Sequence, residues 1–264
     1  MQDIISKVHA HMPYHLLPKH LERILQKQLN LEIYFHHWVL ESLDKAQCIE
    51  IANVLNDAGL KFTFHAPFID LRPGALDDKI RRMSIDRIKQ VFNLAPYYHP
   101  SKIVCHASFD ERYYVFGDDL WLESSVKTWQ ELSALAQDVN TIIALENVYE
   151  KNPWVLRRLF EALSSDRICF CFDAGHFNVF SHEPLRVWLK ELGKYLGHLH
   201  LHDNFGQRDE HLPVGQGTFP FDDLFQFLRK MKVSPTVTLE AHNPNNLTAS
   251  LENINRMELL KFLK

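Results

Sequence analysis

The sequence predicts an α/β fold, a single (β/α)8 TIM barrel spanning residues 1–264. Three observations carry this. Short β-like runs alternate with longer amphipathic stretches from end to end, which implies βαβ units and a parallel sheet. The chain length of 264 residues matches the ~250 residues of eight such units closed on themselves. The strand-like runs then divide into one apolar face and one small or polar face, as a barrel requires between its helix layer and its interior.

The elements follow in order. Runs 7–12 and 31–36 are the first two predicted strands. In 61–68, Phe62 and Phe64 oppose Lys61, Thr63 and His65. Residues 77–94 read as a helix with Ile80, Met83, Ile88 and Val91 along one side. Strand 102–108 and helix 119–139 come next. In 141–147, Ile143 and Leu145 oppose Ile142, Ala144 and Glu146, and helix 153–163 follows. In 168–176, Phe170 and Phe172 oppose Cys169, Cys171 and Asp173. Strand 196–204 precedes helix 222–231. In 236–242, Val237 and Leu239 oppose Thr236, Thr238 and Glu240, and helix 246–263 closes the chain.

Composition narrows the function classes. Hydrophobic residues at 46% and charged residues at 23% exclude disorder. No apolar run approaches the ~18 residues of a membrane span, so no membrane partner is expected. Residues 1–3 lack the basic and apolar regions of a signal peptide. Lys and Arg number 29 against 33 Asp and Glu, so there is no overall basic field for nucleic acid. Four cysteines are too few for a disulfide framework in this length and point to a reducing, cytoplasmic setting. Cys169 and Cys171 read as small filler inside the barrel, and Cys105 as facing a helix.

Six consecutive strands end on the inward side with a metal-ligand type of residue: His65, His106, Glu146, Asp173, His200 and Glu240. Their separations are 41, 40, 27, 27 and 40 residues, each about one βα unit. Three carboxylates gathered at one barrel mouth repel unless cations or protons neutralise them. Imidazole with carboxylate is the donor set of Zn, Mn or Fe. His176, Asp209 and His211 lie in loops beside this ring. His9, His11, His36, His198 and His202 have inward or near-mouth parity and read as supporting or substrate-contacting residues. His15, His20, His37, His99 and His182 read as surface or helix residues.

These residues sit in segments that resemble one family. Phe64-His65-Ala66-Pro67-Phe68, Val104-Cys105-His106, Ala144-Leu145-Glu146-Asn147 and Phe172-Asp173-Ala174-Gly175-His176 carry the resemblance. So do His198-Leu199-His200-Leu201-His202-Asp203-Asn204, Asp209-Glu210-His211-Leu212-Pro213-Val214-Gly215 and Thr238-Leu239-Glu240. Together they are similar to the xylose-isomerase-like barrel superfamily, which includes sugar-phosphate isomerases and epimerases and endonuclease IV. The resemblance implies one to three divalent metals, with Zn or Mn expected. It implies His65, His106 and Glu146 on one, Glu146, Asp173, His200 and Glu240 on a second, and His176, Asp209 and His211 on a third. The three-metal set belongs to the endonuclease IV branch and implies phosphodiester hydrolysis, as in abasic-site repair. The sugar branch needs only the second group. Ala107-Ser108-Phe109 and Ile69-Asp70-Leu71-Arg72-Pro73-Gly74 depart from the DNA-repair pattern and favour the sugar branch.

Two mechanisms are therefore expected on this scaffold. In the favoured one, an isomerase or epimerase acts on a sugar, sugar phosphate or related hydroxy-carbonyl compound, with Glu146 and Glu240 moving a proton. In the other, a metal-dependent hydrolase acts on a phosphodiester, with nucleic acid as partner. Arg72, Arg112, Lys151 and Arg208 lie in loops predicted at the mouth, where a phosphate would bind. Phe68, Phe109, Tyr113, Tyr114, Phe177 and Phe205 lie there as candidate ring-stacking walls.

Overall fold

The computed structural model describes residues 2–115 and 117–261. Eight strands are formed: β1 (Val8–Pro13), β2 (Asn30–Tyr34), β3 (Phe62–His65), β4 (Lys102–His106), β5 (Ile142–Glu146), β6 (Ile168–Asp173), β7 (Leu196–Leu201) and β8 (Thr236–Leu239). Each pairs in parallel with the next, and β1 pairs with β8 through Val8, His9 and Ala10 to close the barrel. Helices lie between the strands, the longest being Asp118–Asp138. Among the described residues, no helix is long and apolar enough to cross a membrane.

Strand alternation sorts the core into two layers. Phe64, Ile103, Leu145, Phe172, Leu199 and Val237 point outward into one large cluster with the helices, where Trp121, Trp129 and Trp188 are fully buried. Burying each such side chain contributes ~1.5–3 kcal/mol. Val104, Ala144 and Cys171 form a small cluster inside the barrel, with Cys169 against it. Cys105 belongs to the outer layer. Both cysteine placements follow the expected parity.

Several expected boundaries shift. Predicted strands 61–68, 168–176, 196–204 and 236–242 overrun the sheet at their C-terminal ends. The clearest case is 168–176. Asp173 caps a helix, Ala174–Phe180, by accepting from the His176 N–H at 2.6 Å, so the chain turns at once. The last helix is Pro244–Arg256, started by Pro244 at its first position and by Asn243 accepting from the N–H groups of Asn245 and Asn246. Residues 262–263 of the predicted helix lie outside the described residues. Helix Asp78–Phe92 buries Ser84, Ile85, Ile88, Val91 and Phe92, while Ile80 and Met83 are exposed, contrary to the expected stripe.

Candidate metal centre

The six ring residues converge at the C-terminal mouth. His65, His106, Glu146 and Asp173 end their strands, His200 lies one residue before the end of β7, and Glu240 follows β8. Glu146 is central. Its Oε2 lies 3.3 Å from His65 Nε2 and 3.2 Å from His106 Nε2. Its Oε1 lies 3.1 Å from His176 Nδ1 and 3.3 Å from His200 Nδ1. Glu240 Oε1 reaches the same His200 Nδ1 at 3.2 Å, with Asp173 Oδ2 3.7 Å from it.

The third group also assembles, although His176 sits in the first turn of helix Ala174–Phe180 rather than in a loop. Asp209 Oδ2 lies 3.4 Å from His176 Nε2 and 3.1 Å from His211 Nε2. The loop carrying Asp209 and His211 is pinned by buried Asp203. Its carboxylate accepts from the N–H groups of Gly215, Gly217 and Phe219. A bridge from Asp203 to Leu212 adds backbone pairing.

His202 proves more central than a supporting residue. Its Nε2 lies 3.1 Å from Asp173 Oδ1 and its Nδ1 3.5 Å from Asp209 Oδ1, and its ring stacks on His211 at 3.9 Å. His11 lies 3.7 Å from Glu240. His198 sits one layer below the mouth, and His36 packs on Tyr34 and stacks on Trp38. His9 is placed elsewhere, beside Lys61 and Ser234 at the opposite end of the barrel. His15, His37, His99 and His182 are exposed or half-buried at the surface, as expected, and His20 lies half-buried in helix Leu17–Lys27.

Sequence reasoning missed Glu32. It is fully buried inside the barrel beneath His200. Its Oε2 accepts from Thr63 Oγ1 at 2.9 Å and Thr238 Oγ1 at 3.0 Å, and lies 3.1 Å from His198 Nε2. Its Oε1 lies 2.9 Å from His200 Nε2. The signal was a lone carboxylate on the inward parity of β2, between Leu31 and Ile33.

The electrostatics follow from this crowding. Burial raises the Glu146 carboxyl, yet His200 and His106 outweigh it and hold the group well below its usual range. Burial lowers His211, but Asp209 and Glu240 lift it to about 9. Against their burial, His200 is raised by Cys171 and then by Glu32, Glu240 and Glu146, and His176 by Asp173, Asp209 and Glu146. Burial instead lowers His11 and His198 to about 4.

The donor set fits a divalent ion. Two atoms each ~2.1 Å from one ion stand roughly 3.0–3.4 Å apart, the spacing seen around Glu146 and His200. His200 Nδ1 and Nε2 and His202 Nδ1 are buried without a neighbour in hydrogen-bonding geometry among the described residues, the Nε2 atom lying beside Glu32 Oε1 at 2.9 Å. His65, His106 and Glu146 bring donor atoms within 4.8 Å of one another, as do His202, His211 and Glu240.

Above these donors lies a cavity of about 390 Å³ that Tyr34, Phe68, Val148 and Tyr149 also line, and among the described residues no Lys or Arg lines it. None of the four expected phosphate-binding cations lines it. Arg112 pairs with Asp110 at 2.8 Å and Lys151 with Glu111. Arg208 is exposed, and Arg72 lines an adjoining cavity. Of the expected aromatics, Phe109 and Phe177 are buried in the core rather than at the mouth, Phe205 is exposed, and Phe68 stacks on His106 at 4.3 Å.

Residues 31–261 match the family described as "Xylose isomerase-like TIM barrel". The uncharacterized protein MJ1311 of Methanocaldococcus jannaschii is 26% identical over 200 residues, 73% of this chain and 68% of that one. Among solved structures, a D-tagatose 3-epimerase-like protein superposes with a TM-score of 0.78 at 21% identity, covering 97% of this chain and 98% of that one. The TTHB071 protein of Thermus thermophilus, soaked with ZnCl2, superposes with a TM-score of 0.79 at 24% identity, covering 95% and 97%. At these identities the structural likenesses show the fold.

Proposed function

The chain belongs to the xylose isomerase-like TIM barrel family, and on that premise we propose that it is a divalent-metal-dependent isomerase or epimerase. Its substrate is a sugar or related hydroxy-carbonyl compound. One observation carries the reading: the Glu146 and Glu240 carboxylates both come within 3.3 Å of a single atom, His200 Nδ1, from different sides of the ring of strands. The likeness in fold to a D-tagatose 3-epimerase-like protein supports it.

Glu146, Asp173, His200 and Glu240 would hold the principal ion, Zn or Mn. His65 and His106 with Glu146, and His176, Asp209 and His211, would hold a second and third. A bound ion supplies charge stabilisation at a carbonyl oxygen and acidifies the adjacent C–H. Glu146 takes the proton from that carbon, leaving a planar enediolate. Glu240, having first taken a proton from water, delivers it to the opposite face, which inverts the centre, and Glu146 then returns its own proton to water; moving the carbonyl instead requires delivery to the neighbouring carbon together with passage of the hydroxyl proton from one oxygen to the other. Tyr34 and His11 line the same cavity and contact substrate hydroxyls. A lining of imidazole, carboxylate and aromatic groups with no Lys or Arg among the described residues favours an uncharged sugar over a sugar phosphate.

A second reading, phosphodiester hydrolysis resembling endonuclease IV, is favoured by the contacts of Asp209 with His176 and His211, which complete the nine-residue set. One experiment separates the two. Metal-loaded protein is incubated in deuterated water with a panel of ketoses and, separately, with an abasic-site duplex. Solvent deuterium at a substrate carbon is expected, with the rate falling ~10²–10⁴-fold in Glu240→Gln, the range of a general acid–base group. Strand cleavage without deuterium uptake would overturn the proposal in favour of the hydrolase.

A further inference from the structure

A second cavity of about 650 Å³ adjoins the metal-centre cavity, and Phe68, His106, Val148 and Tyr149 line both. Its wall is unusual. Ile69, Leu76, Ile80, Tyr113 and Tyr149 line it and are each 42–66% exposed. Apolar side chains scattered singly over a surface are ordinary, but a contiguous set around one concavity marks a binding site. The combined space exceeds what one monosaccharide fills and lies at the upper end of small-molecule pockets, ~300–1,000 Å³.

The cavity is built on rigid backbone. Leu71 N–H donates to Phe68 O and Ala75 N–H to Arg72 O, while the Arg72 N–H donates to Ser84 Oγ. Gly74 packs so closely on Trp121 that a Cβ there would lie 2.2 Å from the indole nitrogen. The Arg72 guanidinium rests 4.9 Å over the Tyr113 ring, which makes a flat cationic–aromatic surface. Asp70 and Asp77 line the same cavity and offset the Arg72 charge, so it is no anion site. Flat aromatic and branched apolar walls suit an apolar, planar group.

We propose that this cavity is a second subsite, and that the substrate is a conjugate of a carbonyl-bearing sugar, whose apolar, aromatic substituent lies there while the sugar ring with its carbonyl lies at the metal centre. The inference rests on the isomerase or epimerase reading for the sugar and names its substrate class. A concave pocket opening onto the reaction cavity fits a small molecule better than the face of a second protein chain, which is flatter and larger.

The test is calorimetric titration of manganese-loaded protein with methyl and phenyl glycosides of D-glucose, D-galactose and D-xylose, in both anomers, which lack the reacting carbonyl and so serve as unreactive binding probes. At least one phenyl glycoside is expected to bind ten-fold or more tightly than its methyl counterpart. Tyr113→Ala and Ile80→Glu, at exposed positions that fold readily, are expected to bring that ratio toward one. Equal affinities throughout, no binding by any glycoside, or a preference surviving both variants would each overturn the subsite. So would a variant that splits an oligomer in sedimentation without changing the ratio, since the occupant is then a second copy. Deuterium exchange keeps the two readings apart. A phenyl preference with no exchange on any sugar sinks the enzyme reading alone, and exchange on free ketoses without a phenyl preference sinks the subsite alone.

Discussion

Replacing Glu32 with Gln is a sharp test of how the metal centre is held. Glu32 Oε2 faces three donors, Thr63 Oγ1, Thr238 Oγ1 and His198 Nε2, at 2.9–3.1 Å. A glutamine therefore keeps its carbonyl oxygen at that end and turns its NH2 to the Oε1 position, 2.9 Å from His200 Nε2. When His200 binds a cation through Nδ1, its proton must sit on Nε2, so donor then meets donor. Either the proton moves to Nδ1, which blocks the lone pair, or the ring turns away. Loss of such an outer partner lowers metal affinity by ~10–100-fold. In the metal-free protein, cutting a buried charge pair outright costs ~3–5 kcal/mol. Here His200 keeps Glu146 and Glu240 on its other side, so about 2–3 kcal/mol is expected, a melting-temperature loss of roughly 4–12 °C at this chain length. Competition titration against a chelating indicator measures affinity, and metal-free melting measures stability. An affinity within three-fold of wild type, with Glu146→Ala depleted of metal, would refute the role given to Glu32.

Other outcomes follow from the same geometry. His211 is raised to about 9, so its contribution to the metal-free fold is full below ~6.5 and lost as pH rises through about 9; cation binding must displace that proton, and metal affinity should climb across this window with proton release seen by calorimetry in buffers of different ionisation enthalpy. A pH-independent affinity between 6 and 9 would contradict this. Glu150 is buried, and its pKa is raised by that burial to about 7. Its stabilising neutral form is therefore complete below ~4.5 and lost as pH rises through about 7. Glu150→Gln should match wild type in urea unfolding at pH 4.5 and exceed it by up to ~3 kcal/mol at pH 8; equal stability at both would refute the assignment. Gly175→Ala would place a Cβ 1.9 Å from His202 Cε1. It should cost ~1–3 kcal/mol by overpacking, with His202 imidazole resonances displaced; unchanged melting and spectra would show that the contact is slack.

The fold was legible because period-two alternation survives through the strand ends, with one register shift near the start of β7, and inward parity placed His65, His106, Glu146, Asp173, His200 and Glu240 on one mouth. Boundaries were not, because Ala66-Pro67-Phe68 and Ala174-Gly175 continue the apolar character after pairing has ended; only the Asp173 cap marks the turn. Ile80 and Met83 misled because an apolar helix residue is assumed to face the core, whereas Ile80 faces a cavity. Glu32 escaped because it sits in mid-strand, away from the ends where ligands were sought. The loop pair Asp209 and His211 stood out as ligand-type residues beside the ring, but no periodicity governs a loop, and their grouping with His176 came only from the family resemblance.

The pairing of β1 with β8 has a kinetic consequence. The nine donors are spread from residue 65 to residue 240, so no fragment of the chain holds the set. Contacts between such distant positions pay their loop-closure entropy late, which slows folding. The full set meets only when β8 docks on β1. Cations that fill the whole set then favour the closed barrel over its partly folded precursors, so they stabilise by mass action against global opening rather than local fraying. Hydrogen exchange would register this as protection spread evenly over all eight strands, rising together with metal concentration.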